Sequence, residues 1–102
     1  MDTKKLQKEV LQNKINHGFP VGNLDSEFCL AHGELSEAYI AWIKGQDDVG
    51  EELADVAIYL LGIAEMLNID LGKEIVSKIE KNKKRIYKKN SKGIFVKEDE
   101  LV

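Results

Sequence analysis

Residues 49–68 constrain this chain more than any other stretch. Leu53, Val56, Ala57, Leu60, Ile63, Ala64 and Leu67 recur at helical spacing and form one broad apolar face. Ile58 and Leu61 point away from that face. A helix that is apolar on several sides must be covered on several sides. The whole chain has 102 residues, room for one domain with a modest core and few other helices. The expected fold is therefore all-α, a four-helix bundle completed by oligomerisation.

The rest of the chain divides at Gly18-Phe19-Pro20-Val21-Gly22-Asn23, Lys44-Gly45-Gln46 and Ser91-Lys92-Gly93, and Pro20 is its sole proline. In the segment 2–17, Leu6, Val10, Asn13 and His17 share one helical face, so two polar residues sit on its best apolar stripe. The segment 26–44, with Asp25 or Ser26 as N-cap, carries a stripe of Phe28, Ala31, Leu35, Ala38, Tyr39 and Trp42. Glu34 lies on the edge of that stripe, with Glu37 one turn further. The segment 71–89, capped by Asp70, has Leu71, Ile75, Ile79 and Ile86 as its stripe. Asn82 falls in the middle of it, and Lys78 and Arg85 fall beside Asn82 on one edge. Residues 1–90 read as a single all-α domain. Residues 91–102 read as a polar tail whose Ile94-Phe95-Val96 run is either a loose extension or a brief strand.

The formal net charge of −3 names no partner, but its distribution is uneven. Residues 25–55 hold nine acids and one base, whereas residues 73–97 hold ten of the fifteen lysines and arginines. The basic stretch lacks a helix-turn-helix or an aromatic-interleaved strand pattern, and Glu98-Asp99-Glu100 would repel phosphates, so nucleic acid is not the expected partner. The single cysteine, Cys29, has no intrachain disulfide partner and reads as a small buried hydrophobe. Together with Asp2-Thr3-Lys4-Lys5 after Met1, which does not resemble a signal peptide, this points to the cytoplasm. The apolar run Val56–Ala64 is nine residues, far short of the ~20 that span a bilayer, so no membrane partner is expected.

Two acidic pairs carry the chemistry. Glu34-Leu-Ser-Glu37 and Glu52-Leu-Ala-Asp55 each place carboxylates at i, i+3 on one helical face. The 14 residues between the pairs suffice to finish one helix, turn and begin its antiparallel neighbour. Four carboxylates brought together at the edge of a core repel one another unless a cation neutralises them. Hard oxygen donors select Mg²⁺, with Mn²⁺ as a substitute, over zinc. In the last helical segment, Lys78 and Arg85 suit phosphate oxygens. Asn82, set in an apolar stripe, needs a polar partner.

At these residues the chain resembles the MazG-like nucleoside triphosphate pyrophosphohydrolases of the all-α NTP pyrophosphatase superfamily. The resemblance covers residues 27–87, through Gly33-Glu34-Leu35-Ser36-Glu37-Ala38, Glu51-Glu52-Leu53-Ala54-Asp55-Val56-Ala57-Ile58-Tyr59-Leu60-Leu61, Ile69-Asp70-Leu71 and Lys78-Ile79-Glu80-Lys81-Asn82-Lys83-Lys84-Arg85. It implies a helical homodimer or homotetramer that binds Mg²⁺ and cleaves an NTP or dNTP to monophosphate and pyrophosphate, in some members as nucleotide-pool house-cleaning. Glu34, Glu52 and Asp55 match metal-binding acids, and Lys78, Asn82 and Arg85 match the phosphate-side row. The chain departs from the usual pattern at Leu30 and Ala31, where two acids commonly stand. Glu37, one turn from Glu34, is the replacement expected. Glu27 lies on the same edge as Glu34 but roughly 10 Å away by helix rise.

On this reading Glu34, Glu37, Glu52 and Asp55 hold the metal, and Glu34 or Glu37 is the catalytic base. Asn13, Lys14 and His17 line the nucleotide pocket, and Trp42, Tyr39 or a neighbouring copy's Phe19 supports the base. The alternative is a catalytically weakened nucleotide-binding regulator of the same fold.

Overall fold

A computed structural model of the chain describes residues 1–98. Four helices follow in order: α1 (Thr3–Asn16), α2 (Leu24–Ile43), α3 (Val49–Met66) and α4 (Leu71–Lys83), then strands β1 (Tyr87–Lys89) and β2 (Phe95–Lys97). Their ends follow from local chemistry. The Asp2 carboxylate caps α1 by accepting from the Lys5 N–H at 3.1 Å. Asn23, rather than Asp25 or Ser26, caps α2, its side-chain oxygen accepting from the Ser26 N–H at 3.1 Å. Gly45, at φ 68°, takes the left-handed conformation just past the end of α2. Among the described residues no helix is long and apolar enough to cross a membrane.

The chain forms two compact units, Met1–Gly72 and the segment from Lys73 onward. In the first, α3 packs against both α1 and α2. The fully buried Gln7 links α1 to the start of α4. Its amide nitrogen donates to the Ile69 carbonyl at 2.7 Å and to Glu65 Oε1 at 3.2 Å, and its oxygen accepts from the Leu71 N–H at 2.9 Å. All of its polar atoms are thereby satisfied at a place where an unpaired amide would be costly. A Cβ on Gly72 would approach Thr3 Oγ1 to 2.7 Å, so glycine is what lets this end of α1 close on α4.

The buried apolar side chains are Ala31, Ala38, Ala41, Ile63 and Ala64. This corrects the expected stripe of α2. Of that stripe Ala31 and Ala38 are buried, joined by Glu27 and Ala41, while Phe28, Leu35, Tyr39 and Trp42 are largely exposed. Phe28 and Leu35 border a shallow groove with Val56 and Leu60 of α3, and small side chains at the buried positions allow close approach of helices. Cys29, expected to be buried, is exposed because it projects to the side opposite Ala31.

In the second unit α4 stops at Lys83 rather than running to 89. Lys81, Lys83, Lys84 and Arg85 crowd like charges at helical spacing, which weakens a helix there. Residues 87–89 instead pair with residues 95–97, β1 running antiparallel to β2 in the register Tyr87↔Lys97, Lys88↔Val96, Lys89↔Phe95. The Lys88–Glu98 ion pair at 2.9 Å closes the open end of this hairpin. Residues 99–102 of the expected polar tail, Asp99 and Glu100 among them, lie outside the described residues.

Candidate metal centre

The return from α2 to α3 through residues 44–48 sets the two acidic pairs side by side. Glu34, Glu37 and Glu52 each offer a carboxylate oxygen, and the three oxygens lie within 4.8 Å of one another. Glu34 and Glu52 are half-buried at the α2–α3 seam, and Glu37 is exposed. Asp55 stands outside this tight group, but its negative charge acts on both Glu34 and Glu52.

The electrostatics are uncompensated. Burial pushes the Glu34 carboxyl above its ordinary value, and the charges of Glu37, Asp55 and Glu52 and a hydrogen bond with Glu37 push it the same way. Glu52 is raised first by burial and then by Asp48, Glu37, Asp55 and Glu51. Glu52 Oε2 is buried and has no hydrogen-bond partner among the described residues. A buried acceptor without a donor, beside two more carboxylates, fits a hard divalent cation bound by oxygen donors. The donor set contains no sulfur or imidazole, which sets it apart from a zinc site.

Ala31 explains why this cluster lies where it does. It is buried against α3, so no side chain from that position can reach a cation. Leu30 lines a cavity instead. Glu37 is the α2 residue that joins Glu34, as expected for the shifted register. Glu27, two turns away, takes no part. It is buried in an ion pair with Lys14, whose ammonium donates to Oε2 at 2.9 Å and to Oε1 at 3.1 Å.

The remaining sequence candidates are dispersed. Lys14 is held by Glu27 and lies over the Tyr59 ring at 4.6 Å from its centroid. Asn13 is exposed beside a second cavity that Lys14 and Ile58 also border. His17 caps α1 and its ring bonds to the Asn13 carbonyl at 2.8 Å. Phe19 reaches the cavity containing Lys14 from its own chain, so no neighbouring copy is needed to bring it there. Trp42, 67% exposed, pairs with Tyr39 at 6.1 Å and lines no described cavity. In the second unit, Arg85 donates to Asn82 Oδ1 at 3.2 Å, which gives Asn82 its polar partner. Lys78 and Asn82 are exposed, contrary to the buried edge expected from the α4 stripe. The Lys78 ammonium is pushed below its ordinary value, chiefly by the charge of Arg85.

Tyr59 lines the cavity containing Lys14, a role not expected from the sequence. It lies four residues after Asp55 and therefore on the same face of α3, a signal that was present in the spacing.

Paired carboxylates on neighbouring helices define the class, a helical domain with an acidic cluster that could hold a cation. The MazG-like family model matches residues 21–101, and the chain belongs to the MazG-like family, whose members are of nucleotide pyrophosphohydrolase type. No curated protein and no solved structure matched the chain.

Proposed function

We propose that this protein is a Mg²⁺-dependent nucleoside triphosphate pyrophosphohydrolase. It cleaves an NTP or dNTP between the α and β phosphates and releases a monophosphate and pyrophosphate, in the service of nucleotide-pool house-cleaning in the cytoplasm. The observation that carries this reading is the convergence of Glu34, Glu37 and Glu52 within 4.8 Å around an orphaned buried carboxylate oxygen. Glu34, Glu37, Glu52 and Asp55 would hold Mg²⁺, or Mn²⁺ in its place. When bound, the cation supplies Lewis acidity towards phosphate oxygens and makes water more acidic. Glu34 takes the proton of the attacking water at a carboxylate oxygen, with Glu37 beside it as the other candidate base. Lys78, Asn82 and Arg85 bind phosphate, a role supported by the mutual repulsion of Lys78 and Arg85, which an anion relieves.

The test is a panel of NTPs and dNTPs with Mg²⁺ and with Mn²⁺, scored separately for pyrophosphate and for phosphate. Metal-dependent pyrophosphate is expected, and phosphate as the sole product would refute the cleavage point. A second reading, a nucleotide-binding regulator with weakened catalysis, is favoured by Ala31 in a position where the related pattern has an acid. It predicts nucleotide-dependent thermal stabilisation without product.

We further propose that the protein works as a homodimer or homotetramer in which a second copy covers the large side chains of α2 and α3. Phe28, Leu35, Tyr39, Trp42, Leu53 and Leu60 are all exposed, while among the described residues the buried apolar set is four alanines and one isoleucine. An apolar surface of this kind on so thin a core calls for cover. Sedimentation equilibrium should give a dimer or tetramer, and a monomer at micromolar concentration would refute the assembly.

A further inference from the structure

We infer that the segment from Lys73 onward binds single-stranded nucleic acid, with bases stacked on Tyr87 and Phe95 and phosphates held by Lys81, Lys84 and Lys89. This role stands apart from the hydrolase reading proposed above and does not depend on it.

Charge confines the surface to one part of the chain. Residues 1–72 carry five bases against thirteen acids, and residues 73–102 carry ten bases against five acids. The first stretch repels a polyanion and the second attracts one. Glu80 and Glu98 are each held by a lysine, at 3.0 Å from Lys83 and 2.9 Å from Lys88. Among the described residues no ion pair engages Lys78, Lys81 or Lys84. Lys81, Lys84 and Arg85 border an open cavity of about 370 Å³ together with Ile86 and Glu98. The charge of Arg85, then burial and the charges of Lys81 and Lys97, push the Lys78 ammonium below its ordinary value, so the fold crowds like charges here.

The hairpin adds a stacking surface. Its register sets Tyr87 opposite Lys97 and Lys89 opposite Phe95. Residues directly opposite one another share a face, and so do residues two apart on one strand. Tyr87, Lys89, Phe95 and Lys97 therefore stand on one face, with the two aromatics on a diagonal of about 7–8 Å. Tyr87 is 47% exposed and Phe95 65%. The Lys89 ammonium lies 5.3 Å from the Phe95 ring centroid, which sets a cation beside the stacking surface. No one strand alternates aromatics with bases in the sequence. Pairing creates that pattern across two strands.

Unpaired bases are what such a face fits. Exposed aromatics on a sheet stack bases whose flat faces are free, and flanking cations follow the phosphates. A duplex keeps those faces covered by its own stacking. A two-stranded hairpin is also marginal in water, and stacked bases cover the rings that this one leaves open.

Fluorescence anisotropy tests this role, with labelled oligouridylate and oligothymidylate of about 12 nucleotides titrated by the full chain in EDTA. Neither divalent cation nor triphosphate is then involved. Both strands are expected to bind, since neither contact reads the 2′-hydroxyl, and to bind more tightly than a duplex of the same length. Tyr87→Leu and Phe95→Leu keep apolar bulk but remove the ring, and each should weaken binding about tenfold. Lys81→Ala and Lys84→Ala should each lower the slope of log affinity against log salt by about 0.7. A duplex that binds as tightly as the strands overturns the inference and needs no variant, so a misfolded hairpin does not shelter it. Failure of either strand to bind also overturns it. So does unchanged strand affinity in a folded Phe95→Leu protein, and a shift in its sedimentation equilibrium would then assign the face to a contact between copies. Tyr87→Leu and Phe95→Leu should leave pyrophosphate release as it is, so strand binding and hydrolysis stand or fall separately.

Discussion

Two sets of carboxylates on one helix have opposite surroundings. Glu27 is buried deeply, yet Lys14 matches it with an opposite charge and two hydrogen bonds. Glu34 and Glu37, two to three turns on, meet Glu52, and among the described residues the buried Glu52 Oε2 has no hydrogen-bond partner. The difference teaches that acidity alone does not mark a metal site. What marks it is charge that the fold collects and does not neutralise. Glu27 has its counter-charge within the fold, whereas the acids at the other end of the seam are arranged to accept one from outside.

The largest expected effect comes from removing the orphaned acceptor. Glu52→Gln should reduce Mg²⁺-dependent pyrophosphate release on the order of 10³-fold, read as kcat/KM, with the melting temperature of the metal-free chain unchanged or raised. The reverse pattern is expected at the other end of the helix. Glu27→Ala leaves the Lys14 ammonium buried without a counter-charge and should cost about 3 kcal/mol in urea unfolding. If Glu27→Ala were neutral and Glu52→Gln destabilising, the contrast between the two sets would be inverted. Glu37→Gln sharpens it, since Glu37 is the exposed member that stands in for the position of Ala31. Mg²⁺ affinity should fall about tenfold, with the fold intact.

The smallest effect is a pH dependence. Glu34 and Glu52 have folded-state pKa values above their ordinary, unfolded values. The folded state therefore holds protons that the unfolded state releases, and their contribution favours folding at low pH. It is lost as pH rises through the raised values. The melting temperature of the metal-free chain should fall over that mildly acidic window relative to a Glu34→Gln, Glu52→Gln double variant. Saturating Mg²⁺ should remove the difference. Glu27 serves as the control, and Glu27→Gln should leave this relative pH slope in place.

The four helices and the acidic seam were legible in the sequence, because glycine and proline punctuation and i, i+3 spacing are local signals. How much of the α2 stripe is buried was not. Ala31 and Ala38 of the expected stripe are buried, but its large members Phe28, Leu35, Tyr39 and Trp42 are exposed. Glu27 was visible as an acid on the same edge as Glu34, two turns away. Its match to Lys14 was hidden, since the two lie on different helices and only packing brings them together. Gln7 was invisible for the same reason, its partners lying 58 to 64 residues away. The end of α4 was missed because Ile86 continues a helical period and also leads into a strand, and the partner at Phe95–Lys97 decides between them.

The most direct test of the uncompensated seam is a calorimetric titration of the nucleotide-free chain with Mg²⁺. Saturable Mg²⁺ binding by the unmodified chain is expected, abolished in Glu52→Gln and retained in Glu27→Gln. Undiminished Mg²⁺ binding in Glu52→Gln, or none in the unmodified chain, would contradict it.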